Sequence, residues 1–274
     1  MVRARRDGGG GEVEAVVTLD VPRRVAITGA AGAIGGAIAR AMRTRWPDAE
    51  LALVDRAAAA APLELIAVEL GRCTTHVIDL AQLETLPSLI DRIGDVDGLV
   101  NCAGVMKVQH VATWKWADAN ALMTIDLLAP LRLQDLVVRG MVARRTGFII
   151  NVASMAGRVP LRGAAYYGSA KAGLAMASEI ARADLADHGV RVVTVYPGPV
   201  KSPLEAGARA DYGGGGLMAK LAPNGDPDEL AKRIMTALAN DEPRVIYPRL
   251  YGVGWTAPNL SSWIALSYGP PPIA

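Results

Sequence analysis

The sequence predicts an α/β fold in which helices cover both faces of a parallel sheet. Three observations carry this prediction. Short apolar runs without polar alternation recur along the chain, as expected for strands that are buried on both faces. Longer segments with helical periodicity separate these runs, and a glycine-rich stretch, TGAAGAIGG at 28–36, follows the first of them directly. Repeated strand–helix units of this kind build a three-layer α/β/α arrangement around a doubly wound, Rossmann-type sheet.

The strands and helices follow one another in order from Arg24 onward. Strands are predicted at RVAITGA (24–30), ELALVDR (50–56), THVID (75–79), VDGLVNCAG (96–104), GFIINVAS (147–154), VRVVTVYPG (190–198) and RVIYP (244–248). Helices are predicted over 33–46, 62–71, 81–94, 114–143, 164–187 and 227–240. We expect a kink in the long helix at Pro130, because proline cannot donate a helical hydrogen bond.

The 274 residues are organised, we expect, as one domain over 24–274, because no linker divides them. Residues 1–23 begin basic but lack the apolar run of a signal peptide, so they are expected to form a flexible leader. The segment 201–225 contains four consecutive glycines and is expected to be an irregular, mobile loop beside the substrate. The apolar tail after Pro248 is expected to pack on its own domain or on a neighbouring subunit rather than on a membrane surface.

Composition and charge argue against several classes of function. The net charge is only +2 and the basic residues are scattered, which gives no support to nucleic-acid binding. No apolar stretch reaches 18 residues, so no transmembrane segment is expected. Cys73 and Cys102 form no disulfide framework and favour a reduced, cytoplasmic setting. The three histidines, at 76, 110 and 188, lie far apart without metal-ligand spacing, so no metal site is predicted.

The stretch AAYYGSAKAG, residues 164–173, contains two adjacent tyrosines followed by a lysine. In a helix each residue turns by about 100°, so Tyr167 and Lys171, four residues apart, share one face. Tyr166 points roughly 140° away from the lysine. The spacing therefore selects Tyr167 as the candidate catalyst and assigns Tyr166 to packing.

The glycine-rich stretch has the context of a phosphate-binding turn. It lies between a strand and a helix, where glycines let the backbone approach a pyrophosphate and the helix N-terminus offers free N–H groups. Asp55 ends the second strand, twenty residues beyond Gly35, where a carboxylate meets ribose hydroxyls and favours NAD over NADP. Arg56 follows directly and could pair with the 2′-phosphate of NADP instead, so NADP stays open.

Several motifs in their order make the chain similar to the short-chain dehydrogenase/reductase family, from about Arg24 to the 240s. TGAAGAIG resembles the family's cofactor turn, and NCAG (101–104) resembles its NNAG element. Ser154 precedes Tyr167 by 13 residues, the family's separation between its serine and its YxxxK tyrosine. YPGPVKS (196–202) resembles the PG segment after strand six, with Ser202 where threonine is usual. Asp79 matches the acidic residue that contacts adenine.

The sequence departs from the family pattern at two places. Ala33 occupies the middle glycine of TGxxxGxG, and read as TGxxGxxG the turn resembles a longer branch that includes sugar-nucleotide epimerases. That branch needs a C-terminal substrate domain for which this chain lacks length, so the short single-domain branch fits better. Asp126 stands where the family has a catalytic asparagine, which holds a water in the proton relay. An ionised aspartate can accept from that water but cannot donate to it. A buried carboxylate near Lys171 could also pair with the lysine, directly or through water, and could slow turnover or shift its pH optimum.

The resemblance implies roles for particular residues. Ser154, Tyr167, Lys171 and Asp126 would form the catalytic set, with Lys171 also binding the nicotinamide ribose. The cofactor would be bound by Gly29, Gly32, Ala33, Ile34, Gly35, Asp55, Arg56, Asp79, Asn101, Ala103, Gly104, Tyr167, Lys171, Pro197, Gly198, Val200 and Ser202. The substrate pocket is expected to be mostly apolar and adaptable. Its expected wall comprises Met106, Met155, Val159, Leu161, Tyr212, Leu217 and Met218.

These residues imply an NAD(P)-dependent oxidoreductase that transfers a hydride between nicotinamide and an apolar ketone or secondary alcohol. NAD is the expected cofactor, with NADP possible, and the substrate could be a steroid, an acyl thioester, or a short aliphatic or aromatic molecule. Two other functions stay open: a lyase or epimerase that uses NAD without net redox, and a non-catalytic dinucleotide-binding sensor. The family resemblance further implies a homotetramer or homodimer formed through the helices at 114–143 and 164–187.

Overall fold

The computed structural model of the protein describes residues 21–212 and 224–272, which build a seven-stranded parallel sheet with helices on both faces. The strands are β1 Arg24–Thr28, β2 Glu50–Asp55, β3 Cys73–Val77, β4 Gly98–Asn101, β5 Gly147–Val152, β6 Val190–Pro197 and β7 Arg244–Tyr247. Their spatial order is β3-β2-β1-β4-β5-β6-β7. This is the doubly wound fold that the sequence predicts.

Helices connect the strands and pack against the sheet. They are α1 Ala33–Arg45, α2 Ala60–Leu70, α3 Leu86–Ile93, α4 Trp116–Met123, α5 Ala129–Arg144, α6 Ala165–Leu185, α7 Pro203–Asp211, α8 Pro227–Ala239, α9 Gly252–Thr256 and α10 Pro258–Tyr268. Of the helices in the described part of the chain, none is long and apolar enough to cross a membrane.

The core has two halves because successive side chains of a strand point to opposite faces of the sheet. In β1, Val25 and Ile27 pack into the half that also holds apolar side chains of α1, α2 and α8. Ala26, between them, faces the other half, with side chains of α3, α5 and α6. All three β1 residues are at most 1% exposed, so the sheet is covered on both sides and the three layers follow.

The strand order reverses between β1 and β4, which are neighbours although β2 and β3 lie between them in sequence. The chain leaves β1 towards one side of the sheet and leaves β4 towards the other. At such a switch point the loops after the two strands diverge and leave a crevice at the carboxyl ends, which is where open α/β sheets bind ligands.

The third strand differs from its predicted position. It covers Cys73–Val77 rather than 75–79, and it pairs with β2 from Leu51↔Cys73 to Asp55↔Val77. It is the edge strand of the sheet, so only one neighbour sets its register. The apolar side chain of Ile78 favoured the later position. In the structure, Ile78 lies just after the last residue of the strand, and its backbone N–H donates to the Asp55 carbonyl there.

The segment 201–225 is not wholly irregular, because its first half forms α7. The Ser202 hydroxyl caps this helix by accepting from the backbone N–H of Glu205 at 3.1 Å, and Pro203 occupies its first turn. Glu205 and Arg209 add an ion pair one turn apart. The four glycines and the predicted pocket residues Leu217 and Met218 lie outside the described residues.

The predicted long helix at 114–143 begins at Trp116 and contains a five-residue π-helical segment, Thr124–Leu128, between α4 and α5. Pro130 lies in the first turn of α5. The missing N–H of proline removes an i→i−4 bond there, and the chain accommodates this with a wider turn before the proline rather than a break. Asp126 is at the centre of the π-helical segment.

Residues 1–20 of the predicted leader lie outside the described residues, but Arg23, its last residue, is held by the sheet. Its carbonyl accepts from Glu50 N at 2.8 Å, and its backbone N–H donates to Asp97 Oδ2 at 2.8 Å. The Arg23 guanidinium also contacts this carboxylate, and Arg144 Nη2 lies 3.5 Å from Asp97 Oδ1. Arg23 therefore belongs to the described fold, one residue before the predicted start at Arg24.

We expect Asp97→Asn to lower the free energy of unfolding at neutral pH by about 1–3 kcal/mol, because the carboxylate accepts charge-assisted bonds. Burial alone would raise the pKa of Asp97, but the hydrogen bonds from Arg23 and the charges of Arg23 and Arg144 outweigh it, so the pKa is lowered. A lowered folded-state pKa stabilises the fold above the unfolded-state pKa, and this contribution is lost as the pH falls through the folded-state value.

Urea denaturation across pH checks this prediction. The difference between the protein and Asp97→Asn should be largest near pH 7 and should shrink in acid. Asp91→Asn, an exposed carboxylate on α3, is the matched control and should change little. A pH-independent difference would contradict the assignment.

Candidate active site

The glycine-rich turn between β1 and α1 is tightly fitted to its surroundings. Gly29 has φ +68°, and a Cβ there would lie 2.8 Å from the backbone of Ala103. A Cβ on Gly35 would lie 2.1 Å from the carbonyl oxygen of Gly29. Both positions therefore need glycine, the first for its backbone conformation and for space, the second for the close approach of helix and turn.

The N-terminus of α1 carries free donors. Gly32 is its N-cap, and of the described side chains none caps it. The backbone N–H groups of Ala33, Ile34 and Gly35 form the first helical turn, where no intrahelical acceptor exists. With the helix dipole, these groups suit an anion such as a pyrophosphate at the switch point. The residues present thus fit a dinucleotide.

Thr28 joins the two strand ends that border the crevice. Its hydroxyl donates to Val100 O at 3.3 Å and accepts from the backbone N–H groups of Cys102 and Ala103 at 3.1 and 3.2 Å. Thr28 is 2% exposed, so these bonds are shielded from water.

Asp55, at the end of β2, faces the same turn. Its Oδ2 accepts from the backbone N–H of Ala31 at 2.9 Å, and its Oδ1 accepts from that of Arg56 at 2.8 Å. Each carboxylate oxygen can accept a further hydrogen bond. The Arg56 side chain is exposed beside it. The end of β2 thus carries a carboxylate directed at the glycine turn and, one residue later, an exposed arginine.

Ser154, Tyr167 and Lys171 come together in the interior. Ser154 follows β5, while Tyr167 and Lys171 lie one turn apart on α6, and the three are 8, 7 and 4% exposed. Lys171 Nζ lies 5.9 Å from the centre of the Tyr167 ring and donates to Val152 O at 3.2 Å. Burial raises the pKa of Tyr167, whereas the charge of Lys171 and a hydrogen bond from Ser154 act in the opposite direction.

Asp126, in the π-helical segment, lies next to Lys171. It is fully buried, its Oδ2 lies 3.4 Å from Lys171 Nζ, and its Oδ1 accepts from the backbone N–H of Val105 at 2.8 Å. Burial raises the pKa of Asp126 and outweighs the charge of Lys171 and the hydrogen bond from the Val105 N–H, which both act to lower it. Burial would lower the pKa of Lys171, but Asp126 and Tyr167 outweigh it, so that pKa is raised.

Tyr166 points away from the lysine and packs against aromatic rings. Its ring lies edge-on to Trp114 at 5.0 Å and to Trp116 at 6.4 Å between centroids. Edge-to-face contacts of this kind stabilise packing by roughly 0.5–1.5 kcal/mol. The structure gives Tyr166 a role in packing.

Asn101 belongs to a buried polar network. Its Nδ2 donates to Asn151 Oδ1 at 2.8 Å and to Pro130 O at 3.3 Å. Asn151 Nδ2 in turn donates to Ser178 Oγ at 3.1 Å, which also accepts from Thr194 Oγ1 at 2.7 Å. The side chain of Asn101 thus ties the first turn of α5 to the sheet, while no described group donates to its Oδ1.

The other predicted cofactor residues lie at strand ends on the same edge of the sheet. Asp79 is exposed and accepts from the Ala81 N–H at 2.9 Å. Gly198, just after Pro197 at the end of β6, donates its N–H to Tyr247 O at 2.7 Å. Val200 is 3% exposed and forms a β-bridge with Gly225. The hydroxyl of Ser202 serves as the cap of α7.

Three of the five predicted pocket residues that the structure describes lie in two apolar clusters. Met155 and Val159 pack with Tyr196, Tyr251 and Trp255. Met106 packs in a separate cluster around Tyr167. Leu161 is 40% exposed at the edge of the site, and the Tyr212 hydroxyl donates to the carbonyl of Arg162. Burial raises the pKa of Tyr212 to about 12, so it stays a neutral phenol.

The C-terminal helices contribute residues that sequence reasoning missed. Trp255 in α9 lies edge-to-face with Tyr196, with 4.6 Å between ring centroids. The guanidinium carbons of Arg158 and Arg244 lie 4.9 and 5.0 Å from the centre of the Trp255 ring. A Cβ on Gly254 would be 3.4 Å from Val159. The tail thus packs beside the predicted substrate wall. Its lack of charged residues after Arg249, together with its tryptophans, was the available signal.

The fold and this arrangement define a class of protein. A parallel, doubly wound sheet with a glycine turn and a free helix N-terminus at its switch point is the architecture of dinucleotide-binding oxidoreductases. Within the described residues, no group of three histidine, cysteine, aspartate or glutamate side chains is placed to hold a metal.

A family model described as short chain dehydrogenase matches residues 23–213. The chain belongs to the short-chain dehydrogenase/reductase family, as its motifs predict, and is therefore an oxidoreductase by family.

Two named relatives and one solved structure are consistent with membership of this family. The chain is 30% identical to a 3-oxoacyl-(acyl-carrier-protein) reductase of Vibrio harveyi, over 76% of this chain and 86% of the relative. It is 26% identical to carbonyl reductase family member 4 of Xenopus tropicalis, over 78% and 89% of the two chains. A metagenomic short-chain oxidoreductase solved in complex with NADP is 29% identical, with a TM-score of 0.66, over 82% of this chain and 96% of that one.

Proposed function

We propose that the protein reduces or forms an apolar ketone with a nicotinamide dinucleotide, using Ser154, Tyr167 and Lys171. The observation that carries this proposal is the burial of these three side chains together, just after β5 and on α6, beside a fitted glycine turn. A bound nicotinamide would donate or accept the hydride. The chain's own residues would bind the substrate, orient it and move the proton.

Each of the three side chains has a distinct task. The Tyr167 hydroxyl exchanges a proton with the substrate oxygen. The positive charge of Lys171 near the phenol favours the phenolate, and the negative charge of Asp126 opposes this effect. The Ser154 hydroxyl, which also accepts from the Ala156 N–H at 3.1 Å, would donate to the substrate oxygen and fix its position.

The substrate class follows from the residues near the site. Met155, Val159 and Trp255 provide an apolar wall, and Met106 belongs to the separate apolar cluster that contains Tyr167. Two relatives named above are a 3-oxoacyl reductase and a carbonyl reductase, so a 3-oxoacyl thioester and simple apolar ketones are the first substrates to test.

The test is an absorbance assay of NADH and NADPH oxidation at 340 nm with 3-oxoacyl thioesters, apolar ketones and sugars. We expect turnover with an apolar carbonyl and none with the sugars. A substrate converted without any change in the reduced cofactor would instead indicate a lyase or epimerase. Tight cofactor binding without turnover of any substrate would indicate a sensor.

For the cofactor we propose that Asp55 favours NAD, although a related structure holds NADP. Asp55→Asn removes the charge but keeps an acceptor for the Ala31 N–H. It should raise the affinity for NADPH relative to NADH about tenfold, which corresponds to about 1.4 kcal/mol. Tryptophan fluorescence titration measures both constants. Arg56→Ala should shift the ratio the other way, and NADPH preference in the unmodified protein would contradict the role of Asp55.

Assembly and location belong to the same proposal. Met176 and Ile180 on α6 are 64 and 53% exposed, which supports a homodimer or homotetramer through this helix and α5. The two free cysteines, Cys73 and Cys102, support a cytoplasmic setting. Light scattering of the full-length protein tests the assembly.

A further inference from the structure

The carboxylate of Asp126 is enclosed with the ammonium of Lys171. Both side chains are buried, and Oδ2 lies 3.4 Å from Nζ while Oδ1 is held by the Val105 N–H. Gly104 closes the space above them, since a Cβ there would lie 3.2 Å from Nζ and 3.4 Å from Oδ2. The two charges are therefore fixed next to each other without room for a larger group.

This contact changes the charge balance around Tyr167. With an unpaired lysine, ionisation of the phenol would create a favourable ammonium–phenolate pair. Here the ammonium is already paired, so ionisation would place a second anion beside a buried carboxylate. Like charges that share a buried site disfavour the second ionisation.

The other groups that face this site do not supply a compensating charge. From the end of β5 comes the neutral hydroxyl of Ser154, and from the loop after β4 comes Cys102. Burial raises the pKa of the Cys102 thiol to about 12, so it is neutral as well. Asp126 and Lys171 are thus the charged groups of the described chain that act on Tyr167.

We propose that Asp126 is a positioning residue that neutralises Lys171, so that Tyr167 keeps its proton and the site works as a proton donor to carbonyls. This assignment rests on the proposed function and predicts that the site favours reduction of the carbonyl over oxidation of the alcohol. In the reduction, the carbonyl carbon gains a hydride from the reduced dinucleotide, which is oxidised. The Tyr167 O–H bond breaks, its proton passes to the substrate oxygen, and the phenolate regains a proton from solvent after product release.

The first test needs no substrate. Tyrosinate absorbance at 295 nm is followed from pH 6 to 11 for the full-length protein and for Tyr167→Phe, and their difference gives the ionisation of Tyr167. The same difference is taken in an Asp126→Asn background. We expect Asp126→Asn to move this ionisation to lower pH by at least about one unit. No shift, or a shift to higher pH, would overturn the assignment.

The second test uses pH profiles of kcat/KM in both directions. Reduction by the unmodified protein should stay constant from neutral to moderately alkaline pH, whereas oxidation of the alcohol should rise only in alkali. Asp126→Asn should raise oxidation at pH 7 by about tenfold and move the alkaline loss of reduction to lower pH. Equal profiles for the two proteins would overturn the proposal.

Two further variants separate this role from a structural one. Asp118→Asn removes an exposed carboxylate on α4 that pairs with Lys107, and it should leave both profiles unchanged. Asp126→Ser is smaller and still offers an acceptor to the Val105 N–H, so it replaces Asp126→Asn if that variant does not fold. An inactive protein whose Tyr167 titration still responds to Asp126→Asn would refute the proposed function but keep the charge pairing.

Discussion

Replacing Tyr167 with phenylalanine is expected to reduce turnover by at least about 10²-fold, because general acid–base catalysis by a positioned group contributes roughly 10²–10⁴. The change removes only the hydroxyl from a ring that is 7% exposed, so the packing of α6 is retained. The dissociation constant of the reduced dinucleotide should change little. Steady-state rates and fluorescence titration measure the two effects separately.

Tyr166→Phe is the control for this prediction. It removes the same atom one residue earlier, on a ring that packs against Trp114 and Trp116. Its activity should stay close to that of the unmodified protein. A large loss in Tyr166→Phe, or substantial activity in Tyr167→Phe, would transfer the catalytic role to the other tyrosine.

The second large effect is expected from Gly35→Ala. The added Cβ would lie 2.1 Å from the Gly29 carbonyl oxygen, so α1 and the turn must move apart. Overpacking of this kind typically costs about 1–3 kcal/mol of folding free energy. Displacement of the first-turn N–H groups should also weaken dinucleotide binding by at least about tenfold, because a charge-assisted hydrogen bond to the ligand contributes roughly 1.5–3 kcal/mol.

Gly207→Ala provides the comparison, because a Cβ on this helical glycine has nothing within 4 Å. Alanine in α7 should stabilise the helix by about 0.5–1 kcal/mol and leave cofactor binding unaltered. Urea denaturation and cofactor titration of both variants check the pair. Normal binding by Gly35→Ala would exclude this turn as the phosphate site.

The features that the sequence predicts well are local ones. The shared face of Tyr167 and Lys171 depends only on helical periodicity, and the turn after β1 depends only on a strand, its glycines and a helix. The helix α7 could also have been predicted from the sequence, because Ser202 and Glu205 have the spacing of a capping box. The four glycines that follow favoured an irregular segment instead.

The features that the sequence could not predict depend on tertiary contacts. The register of β3 is set by its pairing with β2, not by its own apolar residues. Trp255 packs beside Met155 and Val159 of the predicted substrate wall only because α9 follows β7 at the edge of the sheet. Likewise, the distance between Asp126 and Lys171 comes from the packing of a π-helical segment on α6, and residue spacing along the chain does not encode it.

The hydrogen bonds of Thr28 preorganise the crevice before any ligand binds. These three hydrogen bonds to Val100, Cys102 and Ala103 form when the sheet folds, so the two sides of the crevice lose their conformational freedom at that stage. A ligand that enters afterwards has little loop entropy left to remove, and more of its contact energy becomes affinity. Folding, rather than binding, carries the ordering cost of the proposed dinucleotide site.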